Sequence, residues 1–173
     1  VEKKHFIFIC GFMGCGKSTH GKKLAKLLGY NFIDLDEFIS EKFNKTITEL
    51  FNSLGENEFR KLETLALQEC INNNKNTVFS TGGGTPCFND NIKLMKESGI
   101  VVYLKLDAKS LFKRLLNSKE NRPLLQNKSD EELHSFISKL LLEREHFYNQ
   151  ADLIYNGLSV DVTDLKEKLL IFN

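Results

Sequence analysis

No apolar run in this 173-residue sequence approaches the roughly 20 residues of a membrane-spanning helix. The apolar stretch near the start is short and leads directly into a glycine-rich loop, so we expect no secretory leader. Cysteine is sparse: Cys10, Cys15, Cys70 and Cys87 form no C-x-x-C pair, and no histidine stands at metal-ligand spacing from them. That argues against a disulfide framework or a zinc site and fits reduced thiols in a cytoplasmic protein. Nor does charge of one sign dominate. With 24 Lys and Arg against 23 Asp and Glu the net charge is +1, so no global field singles out nucleic acid or an anionic membrane as partner. There is no internal repeat and no Ser- or Pro-rich linker, so we expect residues 1–173 to form a single domain, working as a monomer on small molecules.

What is present starts with Gly11-Phe12-Met13-Gly14-Cys15-Gly16-Lys17-Ser18-Thr19, directly after the apolar run Phe6 to Cys10. Gly11, Gly16, Lys17 and Ser18 fit the spacing G-x-x-x-x-G-K-[ST] of a phosphate-binding loop, with Gly14 as a further glycine. Phosphate oxygens must be met at close range by backbone N–H groups, and the following helix adds its unpaired N-terminal N–H groups and dipole. Lys17 is then placed for the β- and γ-phosphates and the Ser18 hydroxyl for Mg²⁺. Gly14, Cys15, Gly16 and Thr19 complete the expected ATP-binding loop; Cys15 fills a position that needs a small residue, the alternative being a thiol whose oxidation or alkylation abolishes nucleotide binding.

Strand and helix signals alternate along the whole chain, which predicts an α/β fold with a mostly parallel sheet. The expected strands are His5 to Cys10, Asn31 to Asp34, Val78 to Thr81, Ile100 to Leu106 and Leu153 to Tyr155. Helices are expected over Lys17 to Leu28, Asp36 to Phe43, Thr48 to Leu54, Glu56 to Asn73, Asn89 to Ser98, Ala108 to Leu116, Asp130 to Gln150 and Val162 to Phe172. The polar stretch Asn117 to Ser129 reads as a lid.

Ligands of such sheets bind at the carboxyl ends of the strands, and four further places stand out. Asp34 and Asp36, two apart at a strand end, can both face the phosphate loop, one holding Mg²⁺ and the other an acceptor hydroxyl, unless they simply cap the next helix. Gly82-Gly83-Gly84 allows close backbone approach to a ligand, with a tight turn as the competing explanation. Arg60, braced by Glu63 three residues on, and Arg144, on the apolar face with Leu133, Phe136, Ile137, Leu140 and Phe147, suit a planar carboxylate through the guanidinium fork. For Arg60 the alternative is a solvated surface pair. Arg122, in the lid, could arrive over the transferring phosphates. His5, His20, His134 and His146 form no constellation and read as surface or packing residues.

Taken together these segments resemble the shikimate kinase family over nearly the full length of the chain. The resemblance rests on Gly11 to Ser18, Asp34 and Asp36, Gly55-Glu56-Asn57-Glu58-Phe59-Arg60-Lys61-Leu62-Glu63, Gly82 to Gly84, Arg122-Pro123-Leu124-Leu125, and Arg144 with Tyr148 and Ala151. It implies a three-layer α/β/α fold of the P-loop kinase type, with a five-stranded parallel sheet in the order 2-3-1-4-5 and a lid. It also implies ATP-dependent phosphorylation of the 3-hydroxyl of shikimate. Carried over residue by residue, Asp36 binds that hydroxyl, and Arg60, Arg144 and Gly82 to Gly84 hold the acid, with Glu63 beside them. Phe51 and Phe59 line the ring pocket, Asp34 and Ser18 serve Mg²⁺, and Arg114 stacks on adenine. Asn156-Gly157-Leu158-Ser159 departs from the family's usually longer adenine-side loop. A gluconate kinase of the same fold and a binding module without catalysis are the alternatives. The arginine pair with the triple glycine counts against the first; the intact Lys17, Ser18, Asp34, Asp36 and Arg122 count against the second.

Overall fold

The computed structural model describes residues 5–117 and 128–172. Five strands form one sheet: β1 (Phe6–Cys10), β2 (Asn31–Asp34), β3 (Thr77–Ser80), β4 (Ile100–Lys105) and β5 (Leu153–Asn156). Every neighbouring pair is parallel and the order is β2-β3-β1-β4-β5, as the family resemblance implied. Eight α-helices accompany it among the described residues: α1 (Lys17–Leu28), α2 (Leu35–Phe43), α3 (Ile47–Leu54), α4 (Glu56–Asn73), α5 (Asn91–Ser98), α6 (Ala108–Leu116), α7 (Asp130–Tyr148) and α8 (Val162–Leu169). The chain leaves β1 towards β2 in one direction and makes its later crossovers in the other. Right-handed connections therefore put α1 on one face and the intervening helices on the opposite face. α8 returns to pack on α1. Strand β1, central and covered on both faces, is buried at all five positions, which is why its sequence is a continuous apolar run.

Local chemistry sets the boundaries. Thr46 opens α3 and Ser129 opens α7 with capping boxes to Glu49 and Glu132, a reciprocal exchange that satisfies backbone donors at a helix start. Gly29 ends α1 in the left-handed conformation. The helix expected from Asn89 begins at Asn91, because Asn89 and Asp90 both adopt positive φ. The closing helix ends at Leu169 and tightens into a 3-10 turn over Leu170–Phe172. In α7 the buried stripe is Leu133, Ile137, Leu141, Arg144 and Tyr148, rotated from the expected set. Tyr148 provides the reason: its ring packs 5.0 Å from that of Tyr103 and its hydroxyl donates to Gly83 O. The lid, with Arg122, falls largely in 118–127, outside the described residues. No described helix is long and apolar enough to cross a membrane.

Candidate active site

The turn after β1 wraps around the start of α1. Gly16 precedes the helix with φ 96°, a left-handed conformation that side chains rarely adopt. The Lys17 ammonium curls back into the loop, donating to Gly11 O at 2.9 Å and Phe12 O at 3.1 Å, and its side chain is buried. A cavity of about 600 Å³ opens beside it, lined among others by Gly14, Gly16, Thr19, Asp34, Asp36 and Arg114. Cys15 is fully buried, and its Sγ lies within the loop, 3.9 Å from the Lys17 ammonium. Arg114 lies across the loop, donating to Cys15 O at 3.1 Å and to Gly157 O at 2.9 Å. It thus ties the phosphate loop to the turn after β5.

His20, one turn into α1, stands closer to this loop than a surface residue would. Its ring closes over Gly16 and its Nδ1 is buried with no hydrogen-bond partner among the described residues. Burial, then Lys23 and Arg114, hold its pKa below the ordinary value. No period or spacing in the chain marks this placement.

At the ends of β2 and β3, Asp34 does cap the next helix, and with only one of its two oxygens. One oxygen caps α2, accepting from the N–H groups of Asp36 and Glu37, while the other accepts from the Ser18 hydroxyl at 2.5 Å. Ser80, the last residue of β3, joins at 3.0 Å from Ser18 Oγ. It was not singled out from the sequence, although the strand-end rule pointed to its position. Asp36 lies over Gly82, close to Glu63. Burial, reinforced by the Glu63 and Asp34 carboxylates and opposed by Lys17 and Arg60, raises its pKa to about 6.

Arg60 is no surface residue. It is 8% exposed and donates from Nη1 to Glu63 Oε2 at 2.9 Å; Glu63 is 1% exposed. The other Glu63 oxygen accepts from Thr85 Oγ1 at 2.6 Å. Phe88, Phe59 and Phe51 surround the guanidinium, with ring centroids 4.4, 5.4 and 5.9 Å from its carbon. Thr85 and Phe88 were not found from sequence; neither carries a motif of its own. Arg144 reaches Gly83 from the opposite helix, and among the described residues no carboxylate pairs with it. The triple glycine is therefore a matter of space more than of dihedral freedom, since none of the three has positive φ. A β-carbon on Gly84 would stand 2.5 Å from Arg60 Nη2, and one on Gly82 would stand 2.9 Å from Glu63 Oε1. Gly84→Ala should keep the backbone, whose φ of −92° suits alanine, yet displace the guanidinium from Glu63. We expect a loss of about 1–3 kcal/mol of stability in urea denaturation; an unchanged midpoint would show that the arginine has room to move.

Comparison with known proteins follows the same lines. Residues 13–165 match the family model described as shikimate kinase. The shikimate kinase of Azobacteroides pseudotrichonymphae is 46% identical over 164 residues, covering 95% of this chain and 96% of that one. A crystal structure of shikimate kinase from Bacteroides thetaiotaomicron superposes with a TM-score of 0.92 at 44% identity, covering 96% of this chain and 98% of that one. That of the Acinetobacter baumannii shikimate kinase in complex with shikimate has a TM-score of 0.83 at 35% identity, with coverage of 99% and 93%.

Proposed function

The chain belongs to the shikimate kinase family, and from that premise we propose how its residues divide the work. The reaction is ATP-dependent phosphorylation of the 3-hydroxyl of shikimate, giving shikimate 3-phosphate and ADP, a step in aromatic amino-acid biosynthesis. The observation that carries the assignment of roles is the meeting, around one triple glycine beside the phosphate loop, of a partly buried carboxylate, Asp36, and two buried arginines, Arg60 and Arg144. A planar acid is held by guanidinium forks. With its carboxylate there, its ring lies towards Phe51 and Phe59, and a ring hydroxyl is directed towards Asp36.

ATP occupies the cavity at the phosphate loop, its phosphates met by the backbone of Gly14 to Thr19 and by Lys17, which exchanges its carbonyl partners for phosphate oxygens. Arg114, which spans the loop and the turn at Gly157, is assigned by the family resemblance to the adenine side of this cavity. The described residues contain no cluster of three or more His, Cys, Asp or Glu able to cage a metal. The Ser18–Asp34 pair instead offers the few hard oxygen donors that Mg²⁺ takes when phosphates and water supply the rest. When bound, the ion neutralises charge on the β- and γ-phosphates. Because the transition state is largely dissociative, Asp36 acts chiefly by orienting the hydroxyl and receiving its proton as transfer completes. Arg122 is assigned by the family resemblance to the lid over the phosphates. We read the protein as a cytoplasmic monomer.

The test is ADP release from ATP with and without Mg²⁺, offered shikimate, gluconate, a nucleoside monophosphate or no acceptor. Turnover should require both Mg²⁺ and shikimate. Turnover with gluconate alone would move the arginine pair to a different acid, and ATP binding without turnover on any acceptor would leave a binding module.

A further inference from the structure

The donors of Arg60 are not equally engaged. Nη1 is committed to the buried Glu63, itself fixed by Thr85. Nη2 reaches Glu56 Oε1 at the long distance of 3.4 Å, and the Glu56 side chain is 52% exposed. Nε is buried and, among the described residues, has no hydrogen-bond partner. Nε and Nη2 are the parallel donors of the side-on guanidinium fork, the edge that a carboxylate straddles with two oxygens. So the edge left for an acid is the one on which Glu56 rests with a single oxygen.

We propose that Glu56 is a specificity-determining residue, a resident carboxylate that competes with the substrate's carboxylate for the Nε–Nη2 edge of Arg60. The proposal rests on the reading of Arg60 as an acid-binding residue. Nη1 is held by Glu63 and three phenyl rings stand around the guanidinium, so a single fork edge is open to both carboxylates. Charge argues the same way. Glu63 and Glu56 already pair with Arg60, and Asp36 lies within electrostatic reach of both Arg60 and Glu63. An arriving acid adds negative charge to this group, and of the three carboxylates Glu56 is the one free to swing into water. It is the first residue of α4, so the swing leaves the helix backbone in place. A resident competitor weakens acid binding, and an acceptor without a carboxylate never contends with it.

The experiment compares Glu56→Gln with Glu58→Gln, a neighbour in the same helical turn whose carboxylate pairs with Lys61 instead. Removing the competitor should lower both the KM and the Kd for shikimate by about twofold to fivefold, the scale of one exposed ion pair. KM for ATP should not change, and Glu58→Gln should leave all three unaltered. An unchanged shikimate KM in Glu56→Gln would overturn the proposal, and a raised one would make Glu56 a brace for Arg60. Arg60→Lys, which keeps the charge but loses the fork, separates the two readings. If it leaves the shikimate KM untouched, the acid-binding role of Arg60 fails and this inference with it. If it raises the KM while Glu56→Gln lowers nothing, only the competitor fails. Combined with Arg60→Lys, the Glu56→Gln gain should shrink towards onefold.

Discussion

Asp36→Asn is expected to reduce kcat by about 10²- to 10⁴-fold, the range for loss of a positioned proton acceptor, while making the protein more stable. Both effects come from one placement. Burial and the neighbouring Glu63 and Asp34 carboxylates raise the Asp36 pKa from 3.8 to about 6, so at neutral pH the folded protein carries a carboxylate that the site disfavours. The folded form binds the proton more tightly than the unfolded chain. Stability from this group is therefore highest below pH 4, falls as pH rises through the interval between the two values, and is fully lost above about 6. Asparagine removes that penalty. Urea denaturation of the metal-free protein should find Asp36→Asn more stable at pH 7 by about 3 kcal/mol. Near pH 4 it should find the two proteins nearly equal. A mutant with near-normal kcat would take the acceptor hydroxyl away from Asp36, and one destabilised at pH 7 would show that the carboxylate is held by favourable contacts.

Arg60→Lys should raise the KM for shikimate by about 10- to 100-fold with little change for ATP, because an ammonium is a point charge that cannot make two parallel hydrogen bonds to a carboxylate. Lysine is the informative substitution. Arg60→Ala would leave Glu63, 1% exposed, without its cation, and a lone buried carboxylate destabilises by about 3–5 kcal/mol. Loss of activity in that variant would not separate folding from binding. With lysine, equal rises in KM for shikimate and ATP would mean that Arg60 supports the whole cavity and does not contact the acid.

The positions of Arg60 and Glu63 show why the sequence could be read only so far. Their spacing of three residues on a helix predicts an ion pair, and the pair forms at 2.9 Å. But the same spacing describes Glu58 and Lys61, which also pair and lie exposed on the surface. Burial separates the two, and burial is set by what packs on α4 from far along the chain: Thr85 and Phe88 behind Arg60, and Gly84 making room for it. Asp34 is a similar case. Sequence posed helix cap and metal site as alternatives, whereas the folded chain lets two carboxylate oxygens do separate things.

By itself the sequence determined the elements that depend on local patterns. Alternating apolar strands and amphipathic helices imposed the parallel α/β sheet, and the glycine spacing with Lys17 and Ser18 imposed the phosphate loop. Capping residues fixed most boundaries to within a residue or two. The tertiary structure alone decided which polar groups meet across long separations: Ser18 with Ser80, Arg114 with Gly157, Tyr148 with Gly83, and the ring of aromatics around Arg60. Those contacts have no period or spacing in the chain. They arise because parallel strands bring their carboxyl ends to one edge of the sheet, and close packing there fixes the distances and withdrawal from water on which hydrogen bonds and pKa values depend.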